Sequence, residues 1–176
     1  KIGNLKKFSE TIGYLESKQL RTTEDLDALL NSMQEQIGTL KESASGKQAR
    51  IKELDDLLRM ADYYQQGKPV ADKLKTIRFD KFRQKYKTEH ENVLRTFYMA
   101  ERKLKNQWVD GKIPVHAWRK EKSKLETEYQ ALQQKITPLY ADTKKLWAIH
   151  YSIYQVQHEQ ERQNAVTRQK NHEIEH

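Results

Sequence analysis

The sequence predicts an all-α fold, either an elongated three-helix bundle or an antiparallel coiled coil, with two long helices and a broken return helix. Two long apolar stripes recur in alternating steps of four and three residues, and a mean spacing of about 3.5 keeps one helix face against a partner. Only three prolines and six glycines interrupt the 176 residues. Charged residues make up 33% of the chain, above the roughly 25% of ordinary globular domains.

One apolar stripe lies in the last long helix, which we expect to run from Pro114 to about Gln160. Its members are Trp118, Lys122, Leu125, Tyr129, Leu132, Ile136, Leu139, Thr143, Leu146, His150, Ile153 and Gln157. Gly111 suits the end of the preceding helix, and Pro114 suits the first turn of this one. A helix of this length spans about 70 Å at 1.5 Å per residue, so it needs a partner of similar length.

A second stripe supplies that partner, in a helix expected from Thr23 to about Gln65. Its members are Leu26, Leu30, Met33, Ile37, Leu40, Ala44, Lys47, Ile51, Leu54, Leu58 and Ala61. Thr22 or Thr23 is the expected N-cap, since its hydroxyl can accept from a free amide of the first turn. Residues 43–46 are a weak segment where we expect the helix to bend or loosen. Gly67 and Pro69 are expected to end it and start the next helix.

Shorter helices account for the other segments. We expect an N-terminal helix from Asn4, its N-cap, to about Gln19, with Leu5, Phe8, Ile12 and Leu15 on its inner side. Helices are also expected over residues 69–77 and 79–86, and from a capping box at Thr88 and Glu91 to about Val109. The chain would run up the first long helix, down this broken rod, and up the last helix. The expected divisions are 1–20 for the short helix, 21–162 for the bundle and 163–176 for a frayed or disordered tail.

Composition excludes several classes of protein. The chain has no cysteine, so disulfides and cysteine-based zinc sites are excluded and a reducing compartment is favoured. No apolar run approaches the roughly 20 residues that a membrane-spanning helix needs. We therefore expect a cytoplasmic location and no membrane insertion. Because the chain begins at Lys1 rather than Met, we also expect it to be part of a longer protein.

The positive charge is concentrated in the middle third of the chain. Of a net charge of +8, residues 69–125 carry +9, from 16 Lys and Arg against seven Asp and Glu. Residues 1–68 are neutral and residues 126–176 carry −1. Phosphate binding requires several cations close together, because each neutralised phosphate releases condensed counterions. The sequence therefore predicts that any nucleic-acid-binding surface lies within residues 69–125.

We expect two groups of Lys and Arg to form this surface. The first group lies beside Phe79, Phe82 and Tyr86 and consists of Lys73, Lys75, Arg78, Lys81, Arg83, Lys85 and Lys87. The second group surrounds Gly111 and includes Arg102, Lys105, Lys112, Arg119 and Lys120. Aromatic rings among such cations can stack on unpaired bases. Two other interpretations stay open: a solvated helix face with the rings in the core, or a surface for an acidic protein partner.

No catalytic residue, metal or cofactor is expected in this chain. His172 and His176 have the helical spacing of two metal ligands, but no third ligand accompanies them, and His150 belongs to the apolar stripe. A nucleophilic tyrosine needs a base or a metal beside it, and none of the nine tyrosines has one nearby in sequence. Trp108 and Trp118 are interpreted as core residues that meet across the turn at Gly111.

Three stretches of the chain form an ordered set. The first runs from Asn4 to Leu15 and leads into Thr23-Glu24-Asp25-Leu26. The second runs from Tyr64 to Val70 and is followed by Tyr86–Glu91, and the third runs from Lys112 to Tyr129. In this order and spacing they resemble the helical C-terminal region of mobilisation relaxases, which nick and carry DNA for conjugative and mobilisable elements. The resemblance covers most of residues 1–160.

The resemblance implies that the nicking chemistry lies in a separate N-terminal domain, with a catalytic tyrosine and a metal held by a His-hydrophobic-His motif. No two of the six histidines here flank a single apolar residue. The resemblance thus implies a non-catalytic accessory domain of a conjugative relaxase, which helps the enzyme to hold DNA or docks it to proteins of the transfer machinery. The alternative is a structural coiled-coil scaffold that mediates self-association or binds another protein.

Overall fold

The structure is a computed structural model that describes the backbone of residues 2–174 and the side chains of residues 9–165. Within this part of the chain the α-helices are α1 (Ile2–Ser17), α2 (Thr23–Thr76), α3 (Asp80–Glu89), α4 (Glu91–Leu104) and α5 (Val115–Ile174). A single β-bridge is the only extended pairing found there, so the all-α prediction is confirmed. The predicted inner positions Leu5 and Phe8 lie outside the described side chains, as do His172 and His176.

Among the described residues, no helix has a stretch apolar enough and long enough to cross a lipid bilayer.

The two long helices extend further than the sequence predicts. α2 has 54 residues and α5 has 60. α2 is unbroken through residues 43–46, and it continues past Gly67 and Pro69 instead of ending there. It continues because Ala71, beyond the proline, is fully buried in a cluster with Leu94 and Phe97 of α4. The backbone of α5 is helical to Ile174, where we expected a frayed or disordered tail from residue 163.

Both predicted apolar stripes face the interior. Every member of the α2 stripe, from Leu26 to Ala61, is buried or half-buried, and so is every member of the α5 stripe except Gln157. Leu54 is fully buried, whereas Leu132 is half-buried. A stripe of this spacing is therefore a reliable guide to the buried face of both helices.

The chain divides into two compact units, each containing part of α2 and part of α5. The first unit consists of residues up to Glu42 together with those from Leu132 onward, and the second consists of Ser43–Ala131. In the first unit, Leu26, Leu30 and Met33 of α2 pack with Leu146 of α5. Tyr14 of α1 and Leu20, in the connection to α2, also contact this cluster. The short N-terminal helix thus supplies the third helix of the first unit.

The core of the second unit combines α2, α4 and α5. Leu54, Leu57, Met60 and Ala61 of α2 pack with Ala100 and Leu104 of α4 and with Trp118 of α5. Salt bridges cross from α2 to α5 in this unit, joining Lys47 to Glu128, Arg50 to Glu121 and Asp55 to Lys122. From Lys47 to Asp55 the position on α2 rises while the partner on α5 moves back from Glu128 to Lys122, so the two helices are antiparallel here.

α2 and α5 are antiparallel in the first unit as well, since Asp27 of α2 pairs with His150 of α5 and Lys41 of α2 lies over the ring of Tyr140 of α5. The antiparallel arrangement of the long helices is therefore found in both units. The expected up, down and up path is wrong, because it would make α2 and α5 parallel. The return helix α4 ends at Leu104, and α5 then runs in the same direction as α4.

The connection from α4 to α5 is a tight turn. After a 3-10 helix over Lys105–Gln107, Val109 and Lys112 exchange two backbone hydrogen bonds of 2.9 Å. Between them Asp110 and Gly111 have φ of 50° and 73°, the positive values that a type I′ turn requires at both central positions. The Asp-Gly pair therefore reverses the backbone locally, between Val109 and Lys112, and α5 begins at Val115, just after Pro114.

Candidate nucleic-acid interface

Helix α3 carries four cations of the first predicted group, Lys81, Arg83, Lys85 and Lys87, and none of its residues is buried. Lys73 and Lys75 lie at the end of α2, and Arg78 lies between the two helices. The Phe79 and Phe82 side chains are 71% and 62% exposed. Their rings meet edge to face with centres 6.2 Å apart. The interpretation that places these aromatic rings in the core is therefore wrong for both phenylalanines.

Arg83 shapes the corner between α2 and α3. Its Nε and Nη2 atoms donate to the carbonyl oxygen of Ile77 at 3.1 and 2.7 Å. Its Nη1 atom lies 3.2 Å from an oxygen of Asp80. The guanidinium thus satisfies a free carbonyl just beyond the end of α2 and closes the corner, so Arg83 acts as a positioning residue rather than a free cation.

The joint between α3 and α4 forms without the predicted capping box. The Thr88 hydroxyl donates to the carbonyl of Gln84 within α3, so it does not cap α4, whose N-cap is His90. The His90 ring stacks on Tyr86 with centres 4.1 Å apart. On α2, the Nζ atom of Lys73 lies 5.3 Å from the centre of the Tyr86 ring. Tyr86 and His90 therefore hold the end of α3 beside α2.

The cations of the first group differ in whether an acidic side chain compensates them. Lys75 lies 3.8 Å from Asp72, and Lys85 lies 3.9 Å from Glu89. Three further cations are exposed and have no salt bridge within residues 9–165, namely Arg78, Lys81 and Lys87. These three cations flank the exposed phenylalanines in sequence. We call Arg78, Lys81 and Lys87 together with Phe79 and Phe82 the α3 surface.

Three cations of the second predicted group lie around Trp108, before the start of α5. Arg102 and Lys105 line an open hollow of about 510 Å³ together with Glu101 and Trp108. Lys112 lines a second hollow, of about 330 Å³, on which Trp108 also borders. The structure thus brings Arg102, Lys105 and Lys112 of this group around one indole ring.

Arg119 and Lys120 lie in the first turns of α5. Both side chains are exposed, and neither has a salt bridge in the part of the chain that the structure describes. They do not line either hollow at Trp108.

Sequence reasoning missed two features of this region. Trp108 was expected to meet Trp118, but it packs edge to face on Tyr64, with ring centres 5.7 Å apart, and is 39% exposed. Lys68 was not predicted as a site residue, yet it lines the second hollow and its Nζ lies 5.9 Å from the Tyr64 ring centre. A hydrogen bond with Asp72 raises the pKa of Lys68 above its usual value. The sequence signal that could have indicated the exposure of Trp108 is its position two residues before the Asp-Gly turn.

Among the residues whose side chains are described, no group of three or more His, Asp or Glu side chains converges on a point that could hold a metal ion.

Comparisons with known proteins give no assignment. No family model, no curated protein and no solved structure matches the chain.

Proposed function

We propose that this chain is a non-catalytic helical accessory domain that binds nucleic acid through the α3 surface. The observation that carries the proposal is the exposure of Phe79, the N-cap of α3, and of Phe82, in the first turn of this helix, which buries no residue. A large exposed apolar patch on a soluble domain usually marks an interaction site. Uncompensated cations beside it favour a polyanion as the partner.

The two kinds of side chain on the α3 surface suit the two parts of a nucleic acid. Arg78, Lys81 and Lys87 can neutralise phosphates, which supplies affinity that is independent of sequence. Phe79 and Phe82 can stack on bases, and stacking tolerates any base because each has a π face. The surface is therefore suited to binding with little sequence preference.

The resemblance to mobilisation relaxases gives this activity a place in a larger protein. The domain would hold DNA for a relaxase whose nicking site lies elsewhere, or dock that enzyme to proteins of the transfer machinery. This role rests on the resemblance of the sequence and on the basic, exposed α3 surface.

Charge reversal with a matched control tests the proposal. The variant Arg78→Glu, Lys81→Glu, Lys87→Glu changes the charge of the α3 surface and leaves Arg83 to hold the corner. The control Lys135→Glu, Lys144→Glu, Lys145→Glu makes the same change on α5, where these exposed lysines have no salt bridge among the described residues. Fluorescence anisotropy with labelled DNA should show most of the affinity lost in the first variant only. Equal losses in both would mean that binding reflects only the overall charge, and the proposal would fail.

A second candidate function, a scaffold for protein association, is favoured by a separate observation on α5. Tyr140, Trp147, Tyr151 and Tyr154 are all between 43% and 64% exposed. Their spacing of seven, four and three residues places them on one face of the helix. Such a face suits contact with another helix, either of a partner protein or of a second copy. Sedimentation equilibrium distinguishes the two functions, since self-association lost on Trp147→Ala, Tyr151→Ala would support the scaffold.

A further inference from the structure

The indole of Trp108 borders two open hollows at the turn between α4 and α5. One hollow is lined by Glu101, Arg102 and Lys105, and the other by residues that include Lys68 and Lys112. Trp108 follows the 3-10 helix with extended backbone angles, φ −74° and ψ 134°. The tight turn at Asp110 and Gly111 comes directly after it. Backbone hydrogen bonds and the edge contact with Tyr64 thus fix an indole that remains 39% exposed.

The charge around this ring is predominantly positive. Lys105 and Lys112 have exposed side chains and no salt bridge among the residues whose side chains are described. Arg102 directs its Nε atom toward the carbonyl oxygen of Tyr98, at 3.4 Å. Lys68 is engaged with Asp72, and Glu101 contributes one negative charge to the first hollow. Around the two hollows the cations still outnumber the carboxylates, so an anionic ligand is favoured over a neutral or a cationic one.

We propose that Trp108 is a stacking platform for one unpaired nucleobase, with the flanking phosphates held by Lys105 and Lys112. A base that unstacks from its neighbour in the strand can stack on an indole face instead. This contact does not depend on the identity of the base. A duplex keeps its bases stacked inside and presents only phosphates to such a ring. The site therefore selects single-stranded over double-stranded nucleic acid. This inference rests on the proposed nucleic-acid binding but concerns residues outside the α3 surface.

Affinity measurements on two substitutions of Trp108 test the platform. Trp108→Ala should weaken binding of a single-stranded oligothymidylate by about 5- to 150-fold, the range found when a stacking aromatic is removed. Binding of a duplex of equal length should change little. Trp108→Phe keeps an aromatic ring at the position and should restore much of the single-strand affinity. Circular dichroism of each variant verifies that the helices remain formed.

Tryptophan fluorescence provides an independent readout. Trp118 is buried, with 6% of its surface exposed, whereas Trp147 is 43% exposed. In a Trp147→Phe background the exposed emission therefore comes from Trp108, and oligothymidylate should quench it. Adding Trp108→Phe should abolish the quenching, since only the buried Trp118 remains.

The outcomes separate this inference from the proposed function. If the Trp108 variants bind both probes like the wild type and no quenching occurs, the platform is wrong while the α3 surface keeps its role. Equal weakening of single-strand and duplex binding would also overturn the platform, because the loss of a stacking contact with an unpaired base should leave duplex binding unchanged. If the wild type binds neither probe at low salt, both proposals fail.

Discussion

Gly67 of α2 lies so close to Phe97 of α4 that a side chain has no room. A Cβ atom added there would lie 2.4 Å from the Cβ of Phe97, a fixed atom that can move only with its backbone. We predict that Gly67→Ala destabilises the protein by about 1–3 kcal/mol, the usual cost of overfilling a core. Urea unfolding followed by circular dichroism measures this loss.

Gly38 is the matched control, since an added Cβ there meets nothing within 4 Å. Both glycines lie inside α2, so both alanine variants gain the same intrinsic helix propensity, up to about 1 kcal/mol. Gly38→Ala should therefore raise stability while Gly67→Ala lowers it. A gain in both variants would contradict the close contact between α2 and α4.

Phe79 and Phe82 should matter for binding but not for folding. Because both rings are largely exposed and α3 buries no residue, Phe79→Ala, Phe82→Ala should change stability by less than about 0.5 kcal/mol per site. The same double variant should weaken single-strand binding, since each stacked base contributes roughly 1–3 kcal/mol. A large loss of stability in urea unfolding would show that the two rings belong to a core after all.

At the residue scale the sequence predicted burial better than exposure. The spacing of the stripes located Leu26, Leu54 and Leu146 correctly, because a repeat of about 3.5 residues fixes which face is inward. The same reasoning left open whether Phe79 and Phe82 were buried, since a short helix with few apolar residues has no clear repeat. Trp108 was misassigned because its exposure depends on a turn, and not on a helical repeat.

Among the elements, the paired helices α2 and α5 make the stability of the second unit depend on pH. Arg50 donates to Glu121 from Nε and Nη2 at 2.7 and 3.1 Å. These hydrogen bonds hold the pKa of Glu121 below its ordinary value of 4.5. A carboxylate whose pKa is lower in the folded state than in the unfolded state stabilises the fold at pH values above its unfolded-state pKa. This contribution is lost as pH falls through the folded-state pKa.

We predict that Glu121→Gln lowers stability near neutral pH and that the difference from the wild type disappears at acid pH. The loss should be below about 1 kcal/mol, because the pair is some 40% exposed and solvent screens it. Urea midpoints measured from pH 7 down to pH 3 provide the comparison. A difference that stays constant over this range would mean that Glu121 acts through its shape and not its charge.

The sequence predicted a helix N-cap correctly only where the capping hydroxyl was not bound to a backbone carbonyl within a helix. Thr22 caps α2 as expected, with its hydroxyl accepting from the amide of Asp25 at 3.1 Å and Asp25 accepting in return from the amide of Thr22. Thr88 has the same type of sequence signal but lies within α3, where its hydroxyl binds a carbonyl. Contacts between residues far apart in sequence decide such cases, and the contacts of Ala71 with α4 likewise allow α2 to continue past Pro69.

For the whole molecule, the sequence predicted the fold class and the paired long helices but not the path of the chain. Lengths alone allowed a return rod along the whole of α2, because nothing local showed that α5 continues in the direction of α4 beyond the turn at Asp110 and Gly111. The distribution of charge was predictable in full, and residues 69–125 carry +9. Which of these cations are uncompensated required the structure, since salt bridges join residues of different elements.

A salt titration tests the central proposal, phosphate binding by the α3 surface, most directly. For single strands the slope of log affinity against log salt is about −0.7 per contacted phosphate, so the three cations of this surface should contribute about −2. The wild type should therefore show a steep linear decrease, and the variant Arg78→Glu, Lys81→Glu, Lys87→Glu should lose at least that part of the slope. An unchanged slope in the variant, or no binding by the wild type at low salt, would contradict the proposed function.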